Sequence, residues 1–134
     1  MANSGCILVV DDDRSLREML AEYLGSHGFN VALAADGESM RVELERACPD
    51  LVLLDLRLPR LDGFSVLREI KNAPALRHIP VVVLTSSSSD RDVEQAYAEH
   101  ANSYLVKPHD YERLVTLLGR TRDYWLVRNR GPRR

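Results

Sequence analysis

Four short apolar runs, at residues 7–10, 51–54, 81–84 and 104–106, each stop on a residue that carries chemistry. The first runs into Asp11, Asp12 and Asp13, the second into Asp55, the third into Thr85 and Ser86, and the fourth into Lys107 followed by Pro108. Such runs are too short for helices, and three of them lack the polar alternation of a strand with one wet face. They read as strands of a parallel sheet buried on both sides. Residues 29–33 supply a fifth candidate strand.

Between the runs the apolar period lengthens to that of a helix. Leu16, Met19, Leu20, Tyr23 and Leu24 fall at i, i+3, i+4, i+7 and i+8, with Asp13 placed as a cap and Gly28 placed to end the helix. A second helix spans Glu38 to about Ala47 and stops before Pro49; a third carries Phe64, Leu67 and Ile70 and stops before Pro74; Pro80 then opens a strand. Ser89, with Asp92 three residues on, suggests a capping box for a fourth helix whose Val93, Ala96 and Tyr97 share a face. Asp110 caps a fifth, its buried side marked by Tyr111, Leu114, Val115, Leu118 and Trp125. Five strands alternating with five helices imply right-handed crossovers and a doubly wound α/β sheet. Ligands of such sheets bind beyond the carboxyl ends of the strands, where the chemistry-bearing residues of this chain lie.

If Asp11, Asp12 and Asp55 end adjacent strands, their carboxylates repel by roughly 4 kcal/mol per pair at about 4 Å in an effective dielectric of about 20. Lys107 supplies one compensating charge. An all-oxygen cluster of this charge otherwise suits Mg²⁺, which keeps several waters and takes one or two carboxylates together with a phosphate oxygen. A metal-dependent phosphoryl site is the chemical expectation.

The runs VVDDD (9–13), LLDLRLPRLDG (53–63), VVLTSS (82–87) and SYLVKP (103–108) resemble, in that order, the receiver domains of two-component response regulators, of the CheY-like, flavodoxin-like class. The resemblance extends from about Cys6 to Leu118. It implies a five-stranded parallel sheet of order 2-1-3-4-5 flanked by five helices. It also implies that Asp55 is the phosphoacceptor, that Asp11 and Asp12 hold Mg²⁺ together with Asp55 and the backbone carbonyl of Arg57, and that Thr85, Ser86 and Lys107 bind the phosphoryl group and switch with it. Pro108 would follow a cis peptide bond that aims the lysine. Tyr104 either resembles the aromatic residue that changes exposure on activation or is a packed strand-edge tyrosine. Arg57 and Ser87 correspond to positions flanking the entrance by which water reaches the acyl phosphate.

The function implied is that of a phosphoacceptor in a phosphorelay, phosphorylated by a sensor histidine kinase or phosphotransfer protein, and not an enzyme beyond its own phosphorylation and dephosphorylation. The C-terminal segment resembles small stand-alone regulators paired with phytochrome-type kinases; the alternative is the receiver half of a DNA-binding transcriptional regulator. Two enzymes on similar sheets fit poorly. An aspartate-nucleophile phosphatase normally needs a second acid where this chain has Arg57, and a flavin carrier needs a hydroxyl-rich loop where it has three aspartates. No GxxxxGK loop is present to support nucleotide hydrolysis.

A chain of 134 residues, 45% hydrophobic and 28% charged, has the size and composition of one soluble domain. The expected division is a receiver over 1–120 and a helix extension with a basic tail over 121–134. From Arg120 onward six arginines face a single acid, Asp123; a solvated terminus is expected there rather than a nucleic-acid contact. Tyr124, Trp125, Leu126 and Val127 suggest either a homodimer contact with the fourth helix, fifth strand and fifth helix, or a patch that folds back on the core. Cys6 and Cys48 read as buried thiols and the four histidines as surface residues. The N-terminus shows no secretory pattern and no run reaches spanning length, so a cytoplasmic protein without membrane contact is expected.

Overall fold

The computed structural model describes residues 5–58 and 61–128. Strand β1 (Cys6–Val10) leads through helix α1 (Arg14–Ser26) to β2 (Asn30–Ala34), and α2 (Gly37–Ala47) leads to β3 (Leu51–Leu54). A short antiparallel hairpin pairs Arg57 with Asp62 and Leu58 with Leu61 before α3 (Gly63–Asn72). Strand β4 (Val81–Thr85), helix α4 (Asp90–Ala98), β5 (Ser103–Val106) and α5 (Tyr111–Arg122) follow, and α5 continues into a π-helical turn, Asp123–Arg128. The five long strands form one parallel sheet of order β2-β1-β3-β4-β5, as the resemblance implies.

Both faces are covered. On one, Leu8, Val10, Val52 and Leu54 pack against Met40 and Leu44 of α2 and Val66, Leu67 and Ile70 of α3; on the other, Ile7, Val9, Leu51 and Leu53 meet Leu16, Leu20 and Leu24 of α1 and Leu114 and Leu118 of α5. Because successive strand residues point to opposite faces, a run apolar at every position is what such a sheet requires. The cap residues match the sequence, although the box expected at Ser89 and Asp92 is only half formed, because the Ser89 N–H donates to Ser87 Oγ and not to Asp92. Asp13 accepts from the Leu16 N–H, Ser89 from the Asp92 N–H and Asp110 from the Glu112 N–H, while Gly28 takes a φ of 90° after α1.

Two expectations fail locally. Tyr97 is 48% exposed, because Ala96 centres the contact of α4 with the core and the next residue is turned about 100° from it. Cys6 is only half-buried and Cys48 is exposed: the latter ends α2 in the left-handed region, φ 46°, where the chain turns outward. The tail expectation is divided. Trp125 packs against the α1–α5 core, whereas Tyr124 stands 51% exposed with its ring edge-on to the indole. Residues 129–134 and the side chains of Leu126 and Val127 lie outside the described residues.

Candidate functional site

Parallel pairing brings the strand ends to one level. Val10 lies opposite Ala34 and Leu54, and the backbone N–H of Asp55 donates to the Val10 carbonyl at 2.9 Å, so Asp11 and Asp55 leave adjacent strands side by side. Thr85 closes β4, and the Lys107 N–H donates to its carbonyl at 2.7 Å, which sets the lysine beside it. Asp11, Asp55 and Thr85 are buried, whereas Asp12 and Ser86 are exposed.

The Lys107 ammonium donates to Asp11 Oδ2 at 2.7 Å and to Asp55 Oδ2 at 3.4 Å. Its side chain is 16% exposed, and those of the two aspartates 5% and 7%. Two carboxylates share one cation, and the imbalance shows at Asp11. Burial pushes the Asp11 carboxyl above its ordinary range, with the nearby Asp55 adding to the rise, against the hydrogen bonds it accepts from Lys107 and the Asp13 N–H. Burial opposes the charge on Lys107, yet its two acidic partners hold the ammonium above its usual value. A carboxylate oxygen from each of Asp11, Asp12 and Asp55 lies within 4.8 Å of the others. This all-oxygen set, with more negative charge than Lys107 can neutralise, fits a hard divalent cation.

Backbone contacts fix the cluster. Arg17 donates to the Asp11 carbonyl at 2.8 Å, and the Arg57 N–H donates to Asp55 Oδ1 at 3.3 Å. Gly63 donates to the Leu56 carbonyl at 3.0 Å, and a Cβ at Gly63 would meet Leu56 Cα and come to 2.7 Å from the Asp55 carbonyl oxygen. Only glycine lets the first turn of α3 lie this close to the segment that follows β3. Sequence reading missed this, although a glycine directly before Phe64, at the start of the third helix, was a visible signal.

The remaining site residues fall as follows. Arg57 is exposed at the start of the hairpin. Tyr104 is half-buried, packs against the α2–α3 core and donates its hydroxyl to the Ser87 carbonyl at 2.9 Å; its partner is thus the loop after β4. The expected cis peptide at Pro108 is corrected: the described residues contain no cis bond. Lys107 already reaches both carboxylates from a trans bond anchored on Thr85, so nothing in its placement demands the rarer isomer.

Residues 7–119 match the family described as the response regulator receiver domain. The chain is 41% identical over 134 residues, covering 94% of it and 86% of the relative, to the probable methanogenesis regulatory protein FilR2 of Methanothrix harundinacea. Against the DNA-binding dual master transcriptional regulator RpaA of Synechocystis it is 35% identical, covering 81% of the chain but only 45% of the relative, so it spans less than half of that protein. In structure it resembles the Mn²⁺-bound response regulator Rcp1 (33% identity, TM-score 0.86, 96% of this chain and 99% of that one). It likewise resembles the phosphorylated cyanobacterial phytochrome response regulator RcpA (31% identity, TM-score 0.89, 98% and 100%). With the strand order, the acid cluster and the lysine all in place, the chain belongs to the response regulator receiver family, the phosphoacceptors of two-component signal transduction.

Proposed function

We propose that Asp55 is the phosphoacceptor and that Asp11, Asp12, Asp55 and the Arg57 carbonyl hold Mg²⁺ beside it. The observation that carries this reading is the unequal sharing of one ammonium by two buried carboxylates at adjacent strand ends. When bound, Mg²⁺ neutralises charge on the acids and on the phosphoryl oxygens. Asp55 presents its carboxylate as nucleophile. Lys107 is placed to pair with a phosphoryl oxygen, the Thr85 hydroxyl with another, and Ser86 offers a further donor at the loop. The phosphoryl donor is a sensor histidine kinase or phosphotransfer protein. Arg57, exposed at the hairpin, is long enough to cover the acyl phosphate and slow its hydrolysis. The activity is confined to this chain's own phosphorylation and dephosphorylation.

The receiver occupies 1–120, with 121–134 as helix extension and tail. Similarity that runs on past α5 is to Rcp1 and RcpA, whereas the match to RpaA covers 81% of the chain; this favours the stand-alone reading over the receiver half of a transcription factor. The apolar groups exposed along α4, β5 and the end of α5, namely Tyr97, Val106 and Tyr124, support a homodimer through that face. No helix among the described residues is long and apolar enough to cross a membrane, and the free thiols of Cys6 and Cys48 suit a cytoplasmic protein.

Incubated with acetyl phosphate and Mg²⁺, the wild type should gain one phosphoryl group and Asp55→Asn none, as read by intact mass. Equal labelling of the two would overturn the assignment. For the dimer, truncation after Arg122 should abolish concentration-dependent sedimentation while leaving the sheet folded, and a monomeric wild type would end that part of the reading.

A further inference from the structure

Asp11 is held at every polar atom it has. Its N–H donates to the Ala34 carbonyl at 3.0 Å, Oδ1 accepts from the Asp13 N–H at 2.9 Å, and Oδ2 accepts from the Lys107 ammonium at 2.7 Å. Its carbonyl oxygen accepts from the Arg17 guanidinium at 2.8 Å, and that bond fixes the plane of the peptide joining Asp11 to Asp12. It is charge-assisted, roughly twice as strong as a neutral one. Asp12 is the exposed member of the acid set, so the backbone that carries its carboxylate, rather than packing around it, decides where that carboxylate points. Arg17 stands one turn into α1, and its own N–H donates to the Asp13 carbonyl at 3.0 Å, so the guanidinium is anchored on the loop that it braces. A cation there lies at the positive end of the helix, where it adds nothing to helix stability.

We infer that Arg17 is a positioning residue for the divalent cation: by holding the Asp11 carbonyl it sets the Asp11–Asp12 peptide so that the Asp12 carboxylate stays within 4.8 Å of those of Asp11 and Asp55. The inference rests on the reading of these three acids as the Mg²⁺ site. The sign of the effect tells charge from orientation. A guanidinium beside a divalent cation repels it, so through charge alone the loss of Arg17 would tighten binding. Through the peptide, the loss frees the plane to turn, spreads the Asp12 carboxylate over several orientations and weakens binding.

The test is calorimetric titration of the full chain with Mg²⁺. Arg17→Met should lower the affinity roughly tenfold. Arg17→Lys, which keeps a donor on a stem of similar length, should recover to within about threefold of wild type. Asp12→Asn should bind more weakly by itself, and adding Arg17→Met to it should cost no more than about twofold further, because the carboxylate that Arg17 places has then lost its charge. In labelling by acetyl phosphate, the half-saturating Mg²⁺ of Arg17→Met should rise while its rate at saturating Mg²⁺ stays within about twofold of wild type. Amide exchange at β1 and β3 should not change; a loss of protection there alongside the loss of affinity would assign Arg17 a merely structural role and overturn the inference. An Arg17→Met affinity equal to or above wild type, no recovery in Arg17→Lys, or losses that add in full in the double variant overturn it as well. A wild type that binds no Mg²⁺ sinks the reading of the acid cluster itself, a result distinct from a wild type and an Arg17→Met variant that bind equally.

Discussion

Two lysines close the two ends of the same sheet, and they are opposite in kind. Lys107, at the carboxyl end, meets the carboxylates of Asp11 and Asp55. Lys71, at the amino end, donates to three neutral oxygens: Asn102 Oδ1 and the Ile79 carbonyl, each at 2.8 Å, and the Arg77 carbonyl at 3.2 Å. Asn102 Oδ1 also accepts the Val81 N–H at 2.9 Å, so the clamp ties the end of α3 to the entries of β4 and β5. Burial disfavours charge on both lysines. At Lys107 the acids outweigh it, whereas at Lys71 nothing ionised does, and burial pulls that ammonium down to about 8. The difference separates a seam from a site: one end is polar, satisfied and closed, while the other holds an acid surplus that calls for a cation and a ligand.

The largest contrast is expected from the two lysines themselves. Lys107→Met should cut the rate of labelling by acetyl phosphate by about a hundredfold or more, since it removes a fixed cation from the reacting end. Lys71→Met should leave that rate within about twofold yet cost about 1–3 kcal/mol of stability in urea melts, because a side-chain amide oxygen and two carbonyls lose a donor. Equal effects of the two substitutions on labelling would erase the distinction between the two ends of the sheet. A smaller effect sharpens it. Gly63→Ala places a methyl against the backbone of Asp55 and Leu56. Helix α3 is anchored by Phe64, Val66, Leu67 and Ile70, all buried, so the yielding part is the segment carrying the Arg57 carbonyl. Affinity for Mg²⁺, measured by calorimetry, should drop roughly tenfold. An unchanged affinity would show that α3 gives way instead.

The smallest effect is one of pH. Below about pH 8 Lys71 is protonated in both folded and unfolded chains, and the full cost of burying its charge is present. Between there and the unfolded value near 10.4, the unfolded chain binds more protons, so stability should rise with pH relative to Lys71→Met. With solvent screening of a half-buried group the gain is on the order of 1 kcal/mol. A flat or falling difference across that window would mean that the three oxygens retain the proton.

The sheet and its charged end were legible because each strand is buried on both faces and stops where water begins. Val52, Val81 and Val83 had to be apolar, and Asp11, Asp55 and Lys107 had to be something else. The amino end was not legible. Lys71 and Asn102 are 31 residues apart and sit in segments with no pattern of their own, so only the tertiary fold shows them as one clamp. Tyr97 was misplaced because a nine-residue helix with one fully buried alanine leaves its apolar stripe weakly fixed. The hairpin at 57–62 escaped notice because two-residue strands carry no period. The hydrogen bond that the Ser87 hydroxyl donates to the Asp92 carboxylate at 2.6 Å lay inside a run of serines whose hydroxyls look alike until the loop is folded.

The strand order also fixes a calendar for synthesis. Asp55 is translated 52 residues before Lys107, and Asp11 44 residues before Asp55. At about 5–20 residues per second, some 3–10 s pass on the ribosome between the second acid and the lysine. During that interval β1, β2 and β3 can pair, because all three have been made, but the carboxylates at their ends face one another without their ammonium. Protons or dissolved cations are the counterions at hand for that nascent sheet, so the acid surplus that suits a divalent cation in the finished fold is larger by one charge while the fold is half built.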